Sequence, residues 1–240
     1  MSAVKDCIQR IVEANHILAH EGVVDAFGHV SARHPEDPTK FLLSRSRSPA
    51  LVSAEDMMVF NLDGTAVGGD SRKPYLERFI HGGVYEARPE VQAVIHDHSH
   101  EVLPFTISTA PLKPVLHTCG AIGPVVPVWD IRDNFGGTNL MVTNIAQARD
   151  LAKTMGRNPT ALMRGHGAVV AATNIIDAVL IAIYLNINAK ALLWATLLGG
   201  VKHMTPEEVE LSVDGLLAPP AARRAFDYFL RRAGYDIVGD

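Results

Sequence analysis

The residues best placed to do chemistry in this chain are histidines. There are 11 among 240 residues, and two stand as His96-Asp97-His98 on a segment that patterns as a β-strand. Successive strand side chains point to opposite faces, so His96 and His98 project together with Asp97 opposed. Two imidazoles sharing a face can grip a divalent metal; the same pattern also arises in a pair of core or surface histidines without one. A catalytic metal site usually takes three protein ligands and keeps a position open. The third candidate is His166, set between Gly165 and Gly167 ahead of the apolar run Ala168–Ala172. The two glycines allow tight turns and leave the imidazole unshielded, although a plain turn residue would read the same way. Glu77 precedes the His-x-His strand and could act as general acid/base beside a metal. Its alternatives are a solvated helix-face glutamate or a partner for Arg78. Three histidines and a glutamate around an open metal would support carbanion or enolate chemistry, because a Lewis acid stabilises a developing oxyanion.

The elements that must position these groups follow from periodicity. Spacings of three and four among Val4, Ile8, Ile11, Val12 and Leu18 predict an amphipathic helix over residues 4–21. A strand runs from about Phe27 to His34, ended by Pro35 and Pro38, and shorter strands cover 40–44 and the apolar stretch before the Asp63-Gly64 turn. Pro74, followed by Leu76, Phe79, Ile80 and Val84, predicts a helix over 74–87 that carries Glu77. Short strands and loops fill 105–142, a helix lies near 144–156, and two short strands flank His166. A long apolar helix spans 175–200 and a final helix lies near 219–233; residues 201–218 carry no assigned element. With no repeat and no dividing linker, residues 1–240 read as one α/β domain with helices grouped around a sheet.

Composition excludes several classes of function. At 48% apolar and 20% charged, the chain is not disordered and is long enough to bury a full core. Cys7 and Cys119 alone make neither a disulfide scaffold nor a Cys-rich zinc module. A formal charge of −4 gives no basic footprint, so no nucleic-acid partner is expected. Lys5, Asp6, Arg10 and Glu13 interrupt the N-terminal apolar positions, so no secretory segment is expected. Asp177, Asn186, Asn188 and Lys190 interrupt the 175–200 run, which reads as a buried or subunit-interface helix and not a membrane span. With two unpaired thiols, a cytoplasmic location is expected.

Taken in order, Gly28-His29-Val30-Ser31-Ala32-Arg33, Glu77, Tyr85-Glu86-Ala87-Arg88-Pro89, His96-Asp97-His98 and Gly165-His166-Gly167 resemble the class II aldolase/adducin family. The likeness runs from about residue 5 to residue 200. It implies a three-layer α/β/α fold with a mostly antiparallel central sheet. It also implies one divalent metal ion per subunit, Mn²⁺ or Zn²⁺, bound by His96, His98 and His166, with Glu77 as catalytic acid/base. A homotetramer with active sites between subunits is likewise typical of the family. Adducins carry the fold without the metal ligands, so the three histidines here favour an enzyme over a scaffold.

The chain departs from the family's sugar-phosphate aldolases wherever those hold phosphate. His29 stands in place of an asparagine, Ser46-Arg47 in place of a Thr-Gly pair, and Tyr75-Leu76 in place of two serines before Glu77. A phosphate cradle needs close backbone approach and small donors, which argues against a phosphorylated sugar. His29, Ser44, Arg45 and Arg47 are similar instead to the family's aromatic decarboxylases, which act on ring dicarboxylates such as 3-hydroxy-2-methylpyridine-4,5-dicarboxylate or dihydroxyphthalate. Arginine can bind a planar carboxylate through a bidentate fork. The expected activity is therefore a metal-dependent carboxy-lyase, with Glu77 or His29 handling the proton and Ser44, Arg45, Ser46 and Arg47 holding an aromatic acid. The alternative is an aldolase or epimerase acting on a sugar or sugar phosphate. His117 and Tyr235 are weaker candidates near the pocket.

Overall fold

The computed structural model describes residues 2–237. At its centre lies the strand Ala93–Asp97 (β4), all five of whose residues are buried. A strand buried on both faces needs a layer on each side, and both are present. The strands His29–Arg33 (β1), Lys40–Ser44 (β2), Met57–Asn61 (β3), Val128–Trp129 (β5), Thr160–Met163 (β6) and Gly167–Ala172 (β7) join β4 in a seven-stranded sheet. Its order is β3-β2-β1-β4-β7-β6-β5. Every pairing is antiparallel except β5 with β6.

Side-chain alternation divides the core in two. Val30, Ala32, Ala93, Ile95, Val170 and Ala172 face a layer built from the helices Ala3–His20 (α1), Ile175–Leu197 (α6) and Pro219–Arg232 (α8). Phe41, Leu43, Val94, Val169 and Ala171 face Arg78–Ala87 (α2) and Ile145–Met155 (α5) on the other side. The arrangement is the expected three-layer α/β/α fold with a mostly antiparallel sheet. His29, Ser31 and His96 share the α2 face with Val94, while Asp97 falls on the Ile95 side.

Arg33 fastens the two sides of the site together. Its buried guanidinium donates to the backbone carbonyls of Pro38, Tyr85, Arg88 and Val91 at 2.7–3.0 Å. It thereby pins the end of β1 to the end of α2 and fixes which β1 side chains meet which turns of the helix.

Three expectations are corrected. The helix expected over 74–87 begins at Arg78, because Pro74 bridges to Arg45 beside the sheet and holds 74–77 out of the helix. Between 105 and 142 the chain is mainly irregular, and its regular structure is mostly helical turns: Leu103–Ile107 (α3), Arg132–Phe135 (α4) and a 3₁₀ segment at His117–Ile122. Within this span β5 is two residues long. Residues Pro206–Leu217 form a helix, α7, that periodicity left unassigned. Its start carries a legible signal: Thr205 and Glu208 form a reciprocal capping box around Pro206.

Helix α6 is long and apolar enough to cross a membrane by length and composition, but it packs along α1, β4 and β7 as the main helix of its layer. Its exposed large apolar side chains are Ile187, midway along it, and Trp194, Leu197 and the cap residue Leu198 at its C-terminal end.

Candidate metal centre and active site

Four side chains from three places in the chain converge beside the end of β4. The ligand atoms of Glu77, His96, His98 and His166 all lie within 4.8 Å of one another. His96 is the last α2-facing residue of β4, and its Nε2 lies 3.0 Å from Nε2 of His98. The strand itself ends at Asp97, yet the alternation carries one residue further and keeps His98 on the same face. Glu77 Oε2 lies 3.6 Å from His96 Nε2 and 3.2 Å from His166 Nε2.

Each group is held from behind. His96 Nδ1 donates to the carbonyl of Ala168 at 3.0 Å, and His166 Nδ1 to that of Leu140 at 2.9 Å. A ring nitrogen bonded to a carbonyl must carry the proton, so in both neutral rings Nε2 is a bare lone pair aimed into the cluster. Leu140 accepts this bond from a left-handed backbone conformation, φ +68°, alone among the described non-glycine residues. Two residues on, the Val142 N–H donates to Glu77 Oε1 at 2.9 Å, leaving Oε2 for the histidines. Loop 138–142 thus orients two of the four groups.

The glycines around His166 have separate reasons. Gly165 takes φ +62°, which an L side chain adopts only with strain. Gly167 opens β7 against β4 so closely that a Cβ would lie 2.1 Å from the Asp97 carbonyl oxygen and 2.9 Å from His98 Cδ2. Gly167→Ala should therefore push β7 off β4 and spoil the His98 position. We expect roughly 1–3 kcal/mol lower stability in urea unfolding, together with at least tenfold weaker metal binding by titration calorimetry.

Electrostatics agree with a cation at the centre. Burial would raise the Glu77 carboxyl, but hydrogen bonds and charge from His166 and His96 outweigh it and hold the group well below the usual carboxylate range. Burial lowers His166, but the hydrogen bond that its protonated ring donates to the Glu77 carboxylate outweighs burial and raises it. Burial, reinforced by His96 and His166, pushes His98 down to about 4. On the opposite face burial lifts Asp97 to about 7, and its Oδ2 has no hydrogen-bond partner among the described residues. Three imidazole nitrogens and one carboxylate oxygen form a donor set that fits a divalent ion. Two nitrogens held at about 2.1 Å from such an ion would stand about 3.0–3.4 Å apart, close to the His96–His98 separation. Glu77, left open by its spacing, is neither solvated nor paired with Arg78: it is buried, and Arg78 donates instead to Gly64 and Tyr75 carbonyls.

A cavity of about 370 Å³ opens over the cluster. His29, Ser46, Glu77, His98 and His166 line it together with Phe27, Tyr75, Leu76 and Met141. His29 rests on the Tyr75 ring, 4.5 Å between centroids. The Tyr75 hydroxyl donates to the Arg47 carbonyl and accepts from Ser44 Oγ at 3.4 Å. Ser44 is buried beneath Tyr75 and does not line the cavity. Arg45 and Arg47 share the Asp56 carboxylate through their Nε atoms, at 2.6 and 3.2 Å. Of the loop residues, the structure thus brings Ser46 to the cavity wall and leaves the arginines flanking it. His117 lines a separate depression with Lys202 and His203. Tyr235 bonds to His16 of α1 at 2.5 Å. A larger cavity, about 540 Å³ among α6, α7 and β7, contains none of the cluster.

Sequence reasoning gave no role to His81, Ser31 and Tyr85, which lie buried behind His29, although Ser31 and Tyr85 stand within the motifs that carry the family resemblance. The available signal was weak: His81 and Tyr85 stand four apart on α2, and Ser31 stands two from His29 on β1.

Fold and cluster together define an α/β protein of the aldolase type with a side-chain cluster that could hold a divalent ion. Residues 9–193 match the model of the Class II Aldolase and Adducin N-terminal domain, and the chain belongs to that family. It is 35% identical over 196 residues to "Decarboxylase tropJ" of Talaromyces stipitatus, covering 76% of this chain and 74% of that protein. It is 30% identical over 214 residues to "3,4-dihydroxyphthalate decarboxylase" of Arthrobacter keyseri, covering 83% and 82%. Among solved structures, L-fuculose 1-phosphate aldolase from Glaciozyma antarctica superposes with a TM-score of 0.79 at 23% identity, over 97% of this chain and 92% of that one; this likeness is one of fold.

Proposed function

We propose that the protein is a metal-dependent decarboxylase of a hydroxylated aromatic or pyridine dicarboxylate. The observation that carries this reading is the cavity wall. Phe27, Tyr75, Leu76 and Met141 present apolar and aromatic surface directly over the histidine cluster, which suits a flat ring and offers little to a polyhydroxylated chain. The similarity to two proteins named as decarboxylases supports it.

A divalent ion held by His96, His98 and His166 would supply a Lewis acid to the negative charge left when the carbon–carbon bond breaks. The protein supplies the rest. Glu77, ionised and with Oε2 facing the cavity, takes the proton of the ring hydroxyl and returns it to the carbon that loses CO₂. Phe27 and Tyr75 fix the plane of the ring. The terminal amino groups of Arg45 and Arg47, unbonded among the described residues, are the donors available to the carboxylate that is retained.

The test is a panel of hydroxylated ring dicarboxylates, including 3,4-dihydroxyphthalate, and sugar phosphates, with CO₂ and aldehyde release measured in parallel. CO₂ from a ring acid, lost on chelation and regained with Mn²⁺ or Zn²⁺, is the expected result. Aldehyde from a sugar phosphate with no CO₂ would overturn it in favour of an aldolase.

The chain is proposed to assemble as the homotetramer typical of its family, with the exposed Trp194, Leu197 and Leu198 at the end of α6 as apolar surface for a subunit contact. Sedimentation should give a species of about four chains; a monomer at micromolar concentration would rule this out. Free thiols at Cys7 and Cys119 suit the reducing cytoplasm.

A further inference from the structure

Behind the cavity a chain of hydrogen bonds leads from His29 into the interior. His29 Nδ1 lies 2.6 Å from His81 Nε2, His81 Nδ1 lies 2.6 Å from Ser31 Oγ, and Ser31 Oγ lies 2.8 Å from the Tyr85 hydroxyl. All four residues are buried. Two elements interleave to build it. His29 and Ser31 stand two apart on β1, about 6.8 Å along a strand, and His81 and Tyr85 stand four apart on α2, about 6 Å along a helix. The two repeats match closely enough for the side chains to alternate.

The order of protons along this chain is determined at its buried end. The side-chain partner of the Tyr85 hydroxyl is Ser31 Oγ, and the Val94 backbone N–H stands behind it as a donor, so the hydroxyl proton points to Ser31. Ser31 must then donate to His81 Nδ1. That leaves the His81 proton on Nε2, from which it is donated to His29 Nδ1. The His29 proton is therefore on Nε2, the ring nitrogen left for the cavity. The reverse order would strand the Tyr85 hydroxyl without an acceptor in the interior, which buried donors rarely tolerate.

We propose that Tyr85, Ser31 and His81 lock His29 in its Nε2–H tautomer, making His29 a fixed hydrogen-bond donor to a carboxylate oxygen of the substrate and not a base. The carboxylate part of this assignment rests on the decarboxylase reading. His81, Ser31 and Tyr85 are positioning residues, since none lines the cavity. Burial pushes the Tyr85 hydroxyl well above its ordinary range and the His81 imidazole down to about 3, so the chain orients His29 without giving up a proton. The division of labour leaves proton transfer to Glu77.

The tautomer can be read without any turnover. In the full chain carrying zinc, a diamagnetic ion, and ¹⁵N-labelled histidine, long-range ¹H–¹⁵N correlation should show His29 protonated on Nε2 and bare on Nδ1. The signal is assigned by its loss in His29→Asn. Tyr85→Phe removes one hydroxyl and keeps the ring; its His29 nitrogens should shift towards a mixture of the two tautomers. Ser31→Ala, the second variant, should do the same. Phthalate, used as a ring dicarboxylate probe, should move the His29 Hε2 resonance downfield in the parent chain. A parent His29 protonated on Nδ1, or one unchanged in both variants, overturns the tautomer lock. A resonance indifferent to phthalate overturns the donor role. Failure of the decarboxylase reading appears elsewhere, as absent CO₂ release, and leaves the tautomer result intact.

Discussion

His98→Ala should abolish tight binding of a divalent ion and lower turnover by roughly a thousandfold or more. A Lewis acid acting on developing charge is worth several kcal/mol, and ~4 kcal/mol corresponds to roughly a factor of a thousand in rate. Disturbing even the partners behind a ligand costs about 10–100-fold in metal affinity, so losing one of three nitrogens costs more. His98 is the position to change because its hydrogen bonding ends at His96 Nε2. His96 is fully buried and bonded to the Ala168 carbonyl, so its removal would damage the sheet as well as the site. Metal content by plasma mass spectrometry and thermal unfolding of the metal-free proteins separate the two effects. The expected result is a lost ion with an unchanged metal-free melting temperature. Full metal occupancy and full activity in His98→Ala would rule out this centre.

Glu77→Gln should lower kcat by roughly 10²–10⁴-fold, the usual range for loss of a positioned acid or base, with a much smaller change in KM. Glutamine keeps the size of the side chain, and its carbonyl oxygen can still accept the Val142 N–H that now bonds Oε1. What it cannot do is carry a proton. Metal analysis of the same variant distinguishes the roles open to this carboxylate. Retention of the ion on His96, His98 and His166 identifies Glu77 as acid/base, while loss of the ion identifies it as a ligand. A kcat equal to that of the parent chain would remove Glu77 from the mechanism.

The parts of the site legible in the sequence were those governed by local geometry. Period-two alternation put His96 and His98 on one face, and their Nε2 atoms do meet at 3.0 Å although β4 stops at Asp97. Flanking glycines singled out His166, and the structure supplies two physical reasons, a left-handed turn at Gly165 and a backbone contact at Gly167. The helix expected over 74–87 is four residues too long, since Pro74 bridges to Arg45 and does not open its first turn. The capping box that starts α7 stands in the sequence as Thr205-Pro206-Glu207-Glu208, but periodicity alone does not reveal a helix without a strong apolar stripe.

By itself, the sequence determined the α/β class, the absence of a disulfide framework or basic surface, the paired histidines and the family. These depend on composition and on spacings of a few residues, which backbone geometry converts directly into faces and turns. Tertiary structure alone decided that Glu77 is buried, because the N–H that holds it comes from Val142, 65 residues away. It also decided that Arg45 and Arg47 lean on Asp56, and that His81, Ser31 and Tyr85 line up behind His29. Each of these depends on the register of β1 against β4 and on how deeply α2 settles on the sheet. Those quantities are set by packing of the whole core, with Arg33 pinning β1 to α2, and no short window of sequence contains them.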